Sequence, residues 1–170
     1  MTTSALSPAD PAGPSELATY CRELRWVLDQ IATSVQGLTA SQLNWCPATG
    51  SANSAYAIVS HVLGSTRVYA LGFGCGHAVR RDREAEFAAA GPDSEVLIAG
   101  LRQLATEIAI ALAGLRPSAL DVRLTPSREL WGTGEPVEMS PRDALVESIR
   151  HAGLHLGELR LTRDLAVRHA

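Results

Sequence analysis

Three of the five histidines stand where their imidazoles could bind one metal ion. His151 and His155 lie four residues apart in SIRHAGLHLGELRLTRDL, a stretch with the periodicity of an amphipathic helix. Residues i and i+4 share one face of a helix, with Cβ atoms ~6 Å apart, so both imidazoles can reach the same ion. Imidazole is a common ligand for zinc, nickel and iron, which are therefore the candidate metals.

A histidine pair on one helix is half of a site, and in a helical bundle the rest comes from a facing helix. His61 is the natural third ligand because it lies in the middle of another apolar helix. Three histidines with an open fourth position are typical of a catalytic or ligand-binding metal. The alternative is that His151 and His155 are partly exposed on the polar flank of their helix. His77 and His169 are interpreted as non-ligands.

Two glutamates flank the pair, although the zinc-protease pattern H-E-x-x-H is absent because AGL separates the histidines. Glu147 precedes His151 by four residues, so helix phase makes it the candidate acid or base, or a further ligand. Glu158 follows His155 by three residues. It could orient that imidazole, but a solvated position on the helix surface is the favoured interpretation.

Three arginines follow the helix that carries His61. Arg80, Arg81 and Arg83 could bind an anionic substrate or thiol cofactor at the site. The favoured alternative is a solvated basic loop in which these arginines pair with Asp82 and Glu84.

Apolar residues at helical spacing predict four long amphipathic helices. Their approximate ranges are 15–37, 53–72, 93–114 and 140–167. Thr39 and Gln42 predict a capping box for one short turn after the first helix, and Ser140, Pro141 and Asp143 predict the start of the fourth. The stretch 72–91 breaks the periodicity and is predicted to be a loop.

These elements predict an all-α fold, a four-helix bundle. The irregular stretch 116–139 is a long crossover or lid between helices three and four, with at most a little β structure, and it disfavours the simplest up-down arrangement. We expect a flexible tail at 1–14 and a single domain at 15–170, since 170 residues suit one domain.

Composition narrows the function classes. The net charge is −3 and every basic residue is an arginine, with no basic block, so nucleic acid is not an expected partner. No uncharged apolar run reaches ~18 residues and the N-terminus lacks a secretory pattern, so no membrane partner is expected. Three widely spaced cysteines indicate free thiols in a reducing compartment. We therefore expect a cytoplasmic protein, and the arginine and alanine content suggests a bacterial source.

The sequence resembles the DinB/YfiT-like superfamily of bacterial four-helix-bundle proteins in three stretches. They are GLTASQLNWCP after the first helix, AYAIVSHVLGS on the second and ALVESIRHAGLHLGELRLTRDL on the last. The resemblance covers roughly Leu17–Leu165 and keeps the order and spacing of the family's pattern. Glu158 departs from that pattern, because the family often has glutamine there, but this position is not a ligand.

The resemblance implies a divalent metal held by His61, His151 and His155 in a pocket at the mouth of the bundle, and a homodimer. It also implies a transferase or isomerase that uses mycothiol or bacillithiol with a small-molecule substrate. Two other functions stay open. One is a metal-dependent hydrolase of a small substrate, since a metal with an open position can activate water, and the other is a non-catalytic, stress-related metal-binding protein.

Overall fold

The computed structural model describes residues 15–48 and 52–169, and the predicted tail at 1–14 lies outside them. The α-helices in this part of the chain are α1 (Glu16–Val35), α2 (Ala40–Asn44), α3 (Ala55–Thr66), α4 (Arg83–Ala88), α5 (Glu95–Gly114) and α6 (Pro141–His169). α3 continues directly into π-helical turns at Arg67–Gly74, and a 3-10 turn covers Pro117–Asp121.

Four long helical units form a bundle, which confirms the predicted all-α fold. α1 packs on α5 and α6, while α3 and its π-helical extension pack on α6 and, less extensively, on α5. α1 and α3, the first two long helices of the chain, therefore lie diagonally across the bundle. In a simple up-down bundle, by contrast, helices that follow each other in the sequence are neighbours. The connection through α2 spans this diagonal, and the crossover spans the other diagonal, between α5 and α6. The β structure of the crossover, within the described residues, is one antiparallel bridge between Leu124 and Met139.

Side-chain caps fix where the helices begin. Ser15 and Ser54 accept hydrogen bonds from backbone N–H groups three residues ahead, at the starts of α1 and α3. Thr39 and Gln42 form the predicted capping box of α2. At the start of α6, the Ser140 hydroxyl accepts from the Asp143 amide, and the Asp143 carboxylate accepts from the Ser140 amide at 2.9 Å. These reciprocal bonds satisfy donors that the first helical turn leaves free.

The loop predicted for 72–91 was wrong in two places. Helical structure continues to Gly74 rather than ending at Gly72, because π-helical turns carry the chain two residues further. The prediction also missed α4, which lies within this stretch. The Asp82 carboxylate caps its first turn by accepting a hydrogen bond from the Ala85 amide at 2.9 Å. The six residues of α4 are too few to show an apolar period.

The core is apolar and lies between the four long helices. Its largest fully buried side chains include Leu24, Leu28, Ile58, Leu104, Ile108, Leu145 and Leu159. One described helix, α5, is long and apolar enough to pass a test for a membrane span, with a mean hydropathy of 1.6. Leu97, Leu101, Leu104 and Ile108 of that helix are buried in the core, whereas Val96 and Ile110 are exposed.

Candidate metal centre

His61, His151 and His155 come together where α3 packs on α6. Each offers a ring nitrogen, and the three nitrogens lie within 4.8 Å of one another. The Nε2 atoms of His61 and His151 are 3.4 Å apart, although 90 residues separate them along the chain. His61 is buried, and the two histidines of α6 are half-buried.

Helix phase explains why these side chains face each other. On α3, His61 follows Ile58 by three residues and precedes Ser65 by four, and both neighbours are buried. On α6, the histidines border the buried stripe that Ala152 and Leu156 form. Packing those two faces together therefore brings the three imidazoles to one point.

Each imidazole also has a partner at Nδ1. The Glu86 carboxylate lies 2.9 Å from Nδ1 of His61, and the Glu158 carboxylate lies 2.7 Å from Nδ1 of His155. The Ser65 hydroxyl lies 3.2 Å from Nδ1 of His151. A partner at Nδ1 sets the tautomer and leaves the Nε2 lone pair for a metal, as in most histidine metal sites.

The geometry fits a divalent metal ion. Two nitrogens that bind one zinc ion at ~2.1 Å with tetrahedral angles lie ~3.4 Å apart, which agrees with the His61–His151 separation. Burial lowers the pKa of His151, and electrostatic repulsion by His155 and His61 lowers it further, to about 4. Its ring is therefore neutral near pH 7, the form that a metal requires.

A cavity of about 280 Å³ opens beside His61 and His151. Its other walls come from α3, the π-helical extension, the start of α4 with the residues before it, the crossover and α6. They include Ser65, Tyr69, Arg81, Arg83, Trp131 and Glu147. Two of the three histidines line this cavity, so a metal held by the three nitrogens would keep a coordination position toward it, as in catalytic rather than structural sites.

The predicted catalytic residue Glu147 lies at the cavity wall, and its side chain is 28% exposed. Both of its carboxylate oxygens accept hydrogen bonds from Arg150, at 2.8 and 2.6 Å. Burial raises the pKa of Tyr69 across the cavity, and the charge of Glu147 raises it further. Glu147 therefore faces the cavity while it is paired, and its role in catalysis stays a prediction.

The two arginines predicted to bind a cofactor occupy different environments. Arg80 is exposed. The Arg81 side chain is only 4% exposed, and it donates to both carboxylate oxygens of Glu86 at 2.8 Å. Arg81 thus neutralises a carboxylate of this chain, whereas Arg83, also at the cavity, makes no ion pair within the described residues. Cofactor binding by Arg80 and Arg81 stays a prediction.

Sequence reasoning missed Glu86, which is 8% exposed in α4. Burial alone would raise its pKa, but the hydrogen bonds from Arg81 and His61 outweigh burial and hold the pKa below the usual value. Reasoning from the sequence favoured a solvated Glu158. Its side chain is 38% exposed, and its carboxylate also contacts His155. The one local signal for α4 is Asp82, a good N-cap residue.

The metal-free protein is expected to lose stability as the pH falls from about 6.5 to 4. The pKa of His151 is about 4 in the folded protein and ~6.5 in an unfolded chain. Between these values the unfolded chain binds a proton that the folded protein does not, so acid favours unfolding, and above that range the effect vanishes. Urea unfolding followed by circular dichroism at several pH values measures the slope. His151→Gln should flatten it, and an identical slope in that variant would contradict the assignment.

Fold and site together define a helical-bundle protein in which three histidines are placed as a candidate metal site beside a cavity. The family model of the DinB superfamily matches residues 23–159. The chain belongs to that superfamily, as the sequence resemblance predicted. No curated protein matches the chain, so this membership is not tied to a particular reaction.

Proposed function

We propose that this protein is a divalent-metal-dependent enzyme that transfers or isomerises small molecules with a low-molecular-weight thiol such as mycothiol or bacillithiol. The observation that carries the proposal is the convergence of three imidazoles, each with a partner at Nδ1, beside a cavity of about 280 Å³. A metal bound there would lower the pKa of a coordinated thiol, so that a thiolate could attack an electrophile near pH 7.

The side chains of the cavity suit this chemistry. Tyr69 and Trp131 are half-buried, with ring centroids 6.5 Å apart, and they place aromatic surface beside the histidines. Arg83 has no ion-pair partner within the described residues and offers a positive charge for an anionic group of the thiol or substrate. The cavity thus combines an apolar wall with one available cation.

The state of Glu147 separates the thiol enzyme from the hydrolase. A hydrolase gains from a carboxylate base beside the metal, and the closest candidate has both oxygens engaged by Arg150. A thiol can be activated by the metal without such a base, so the thiol-dependent reaction is the better supported one. The hydrolase keeps one specific point in its favour, namely that Glu147 lines the cavity.

The proposal includes a bacterial cytoplasmic setting and a homodimer. The three cysteines are free, at Cys21, Cys46 and Cys75, which agrees with a reducing compartment.

Burial raises the pKa of Cys75 to about 11, so its thiol is a poor nucleophile. An attacking thiolate is therefore better supplied by a cofactor than by this side chain.

Metal-loaded protein, purified without a His tag, is expected to consume mycothiol or bacillithiol in the presence of an electrophile. The assay measures free thiol over time across a panel of electrophiles, with product identified by mass spectrometry. His151→Ala should lose the activity, while His77→Ala, which alters an exposed histidine, should keep it. Metal-dependent hydrolysis without thiol, sensitive to Glu147→Gln, would favour the hydrolase instead. Metal-loaded protein without either activity would favour the non-catalytic role.

A further inference from the structure

A segment outside the four long helices covers one side of His61. This segment, residues 76–89 and here termed the strap, leaves the end of the π-helical turns and includes α4. α4 packs on α3 beside the histidine. The strap thus lies against the helix that supplies one ligand, although it supplies no ligand itself.

The strap contacts the imidazole of His61 from two directions. The Phe87 ring stacks on its face, with centroids 4.4 Å apart and planes 25° apart. The Glu86 carboxylate lies in line with its edge, 2.9 Å from Nδ1. One contact restrains the plane of the ring, and the other selects the nitrogen that carries the proton.

Arg81, five residues before Glu86 in the strap, holds the carboxylate of Glu86 in place. Its guanidinium donates two hydrogen bonds to that carboxylate, and all three side chains of the Arg81–Glu86–His61 chain are almost fully buried. Placing two charges in the interior is costly and seldom stabilises a fold more than apolar packing would. The buried pair therefore suggests a purpose other than holding the strap down.

The surface of α3 has a matching gap at Gly64. A Cβ atom built on Gly64 would lie 1.8 Å from Oε1 and 2.5 Å from Cδ of Glu86. Any larger residue would push the carboxylate away from α3 and hence from Nδ1 of His61. Glycine in the middle of a helix is unfavourable by itself, so the approach of Glu86 gives this residue a specific role.

We propose that Glu86 is the positioning residue of the metal centre and holds His61 in the orientation and tautomer that direct Nε2 at the ion. Arg81 fixes the Glu86 carboxylate, and Gly64 leaves space for it. Metal affinity then depends on the strap as well as on the three histidines. This inference rests on the metal binding that the proposed function assumes, but not on any particular reaction.

Gly64→Ala is the sharpest test, because it changes neither a ligand nor a charged residue. We expect it to weaken zinc binding by about 10–100-fold, the usual effect of losing an outer-shell partner of a metal ligand. Affinity is measured by competition with a chromophoric chelator. Gly157→Ala is the matched control, since a Cβ atom at this position of α6 meets nothing within 4 Å, and it should bind zinc as the unaltered protein does.

Glu86→Gln tests the same inference through the carboxylate. We expect a similar loss of zinc affinity and an altered cobalt(II) absorption spectrum, which reports the geometry of the ligands. In the metal-free protein, nitrogen NMR of the imidazoles should show His61 protonated at Nδ1 in the unaltered chain and a mixture of tautomers in both variants. A purely structural role for Glu86 would lower the melting temperature without moving the tautomer.

The outcomes separate this inference from the proposed function. The positioning role would be overturned if folded Gly64→Ala and Glu86→Gln proteins kept the zinc affinity of the unaltered chain while His61→Ala lost binding. That result would not contradict the proposed metal enzyme. A weakened affinity in both variants supports the positioning role even when no thiol is consumed. An unaltered protein that binds no divalent ion would overturn both.

Discussion

Replacing His151 with alanine is expected to reduce the metal content from about one divalent ion per chain to near zero. The variant leaves two ligand nitrogens on different helices, since His61 is on α3 and His155 on α6. Losing a direct ligand should weaken binding by more than the ~10–100-fold typical of an outer-shell partner. Elemental analysis of protein purified without a His tag, after dialysis, gives the metal content per chain.

The control for this experiment is His169→Ala, which removes an exposed histidine in the last turn of α6. It should keep the full metal content. Circular dichroism checks that both variants are folded. We expect His151→Ala to fold, because a half-buried imidazole can be removed without opening the core. A folded His151→Ala protein that retains its metal would eliminate the three-histidine centre, and the proposed enzyme with it.

Replacing Arg81 with methionine is expected to cost about 3–5 kcal/mol of unfolding free energy, because it leaves the buried Glu86 carboxylate without its cation. Methionine keeps much of the aliphatic stem, so lost packing contributes little. The change is measured by urea unfolding of the metal-free protein near pH 7. Adding Glu86→Gln to the same chain should recover part of the loss, since the uncompensated charge is then absent.

Arg80→Met is the matched control, one residue away and exposed. A surface substitution of this kind should change stability by no more than ~0.5 kcal/mol. Similar losses for the two arginine variants would mean that the Arg81–Glu86 pair is not the source of the effect. The contrast also bears on cofactor binding, because Arg80 is available to an external anion, while Arg81 is committed to Glu86.

The pairing of His151 with His155 was predictable from sequence because it depends only on local geometry. Four residues of helix place two side chains on one face wherever the helix lies. The same locality explains why the α2 capping box of Thr39 and Gln42 and the Ser140 start of α6 were predicted correctly. His61 required one step more, since a histidine in an apolar helix suggests, but does not define, a partner on another helix.

The error at 72–91 has a different origin. π-helical turns advance with a period other than 3.6 residues, so the apolar pattern there cannot match the α-helical template. α4 is too short to show any period. Nothing local distinguishes Glu86 from its neighbour Glu84, and yet the structure buries the first and exposes the second. Burial here is decided by a gap at Gly64, some twenty residues earlier in the chain.

The sequence by itself determined the helical class, the starts of α2 and α6 and the placing of two histidines on one helical face, because hydrogen bonding and side-chain periodicity act over a few residues. Only the tertiary structure decided that α1 and α3 lie diagonally, that His61 meets the α6 pair, and that Glu86 and Arg81 stand behind it. These are contacts between distant parts of the chain, set by how whole helix faces pack, and no short stretch of sequence contains them.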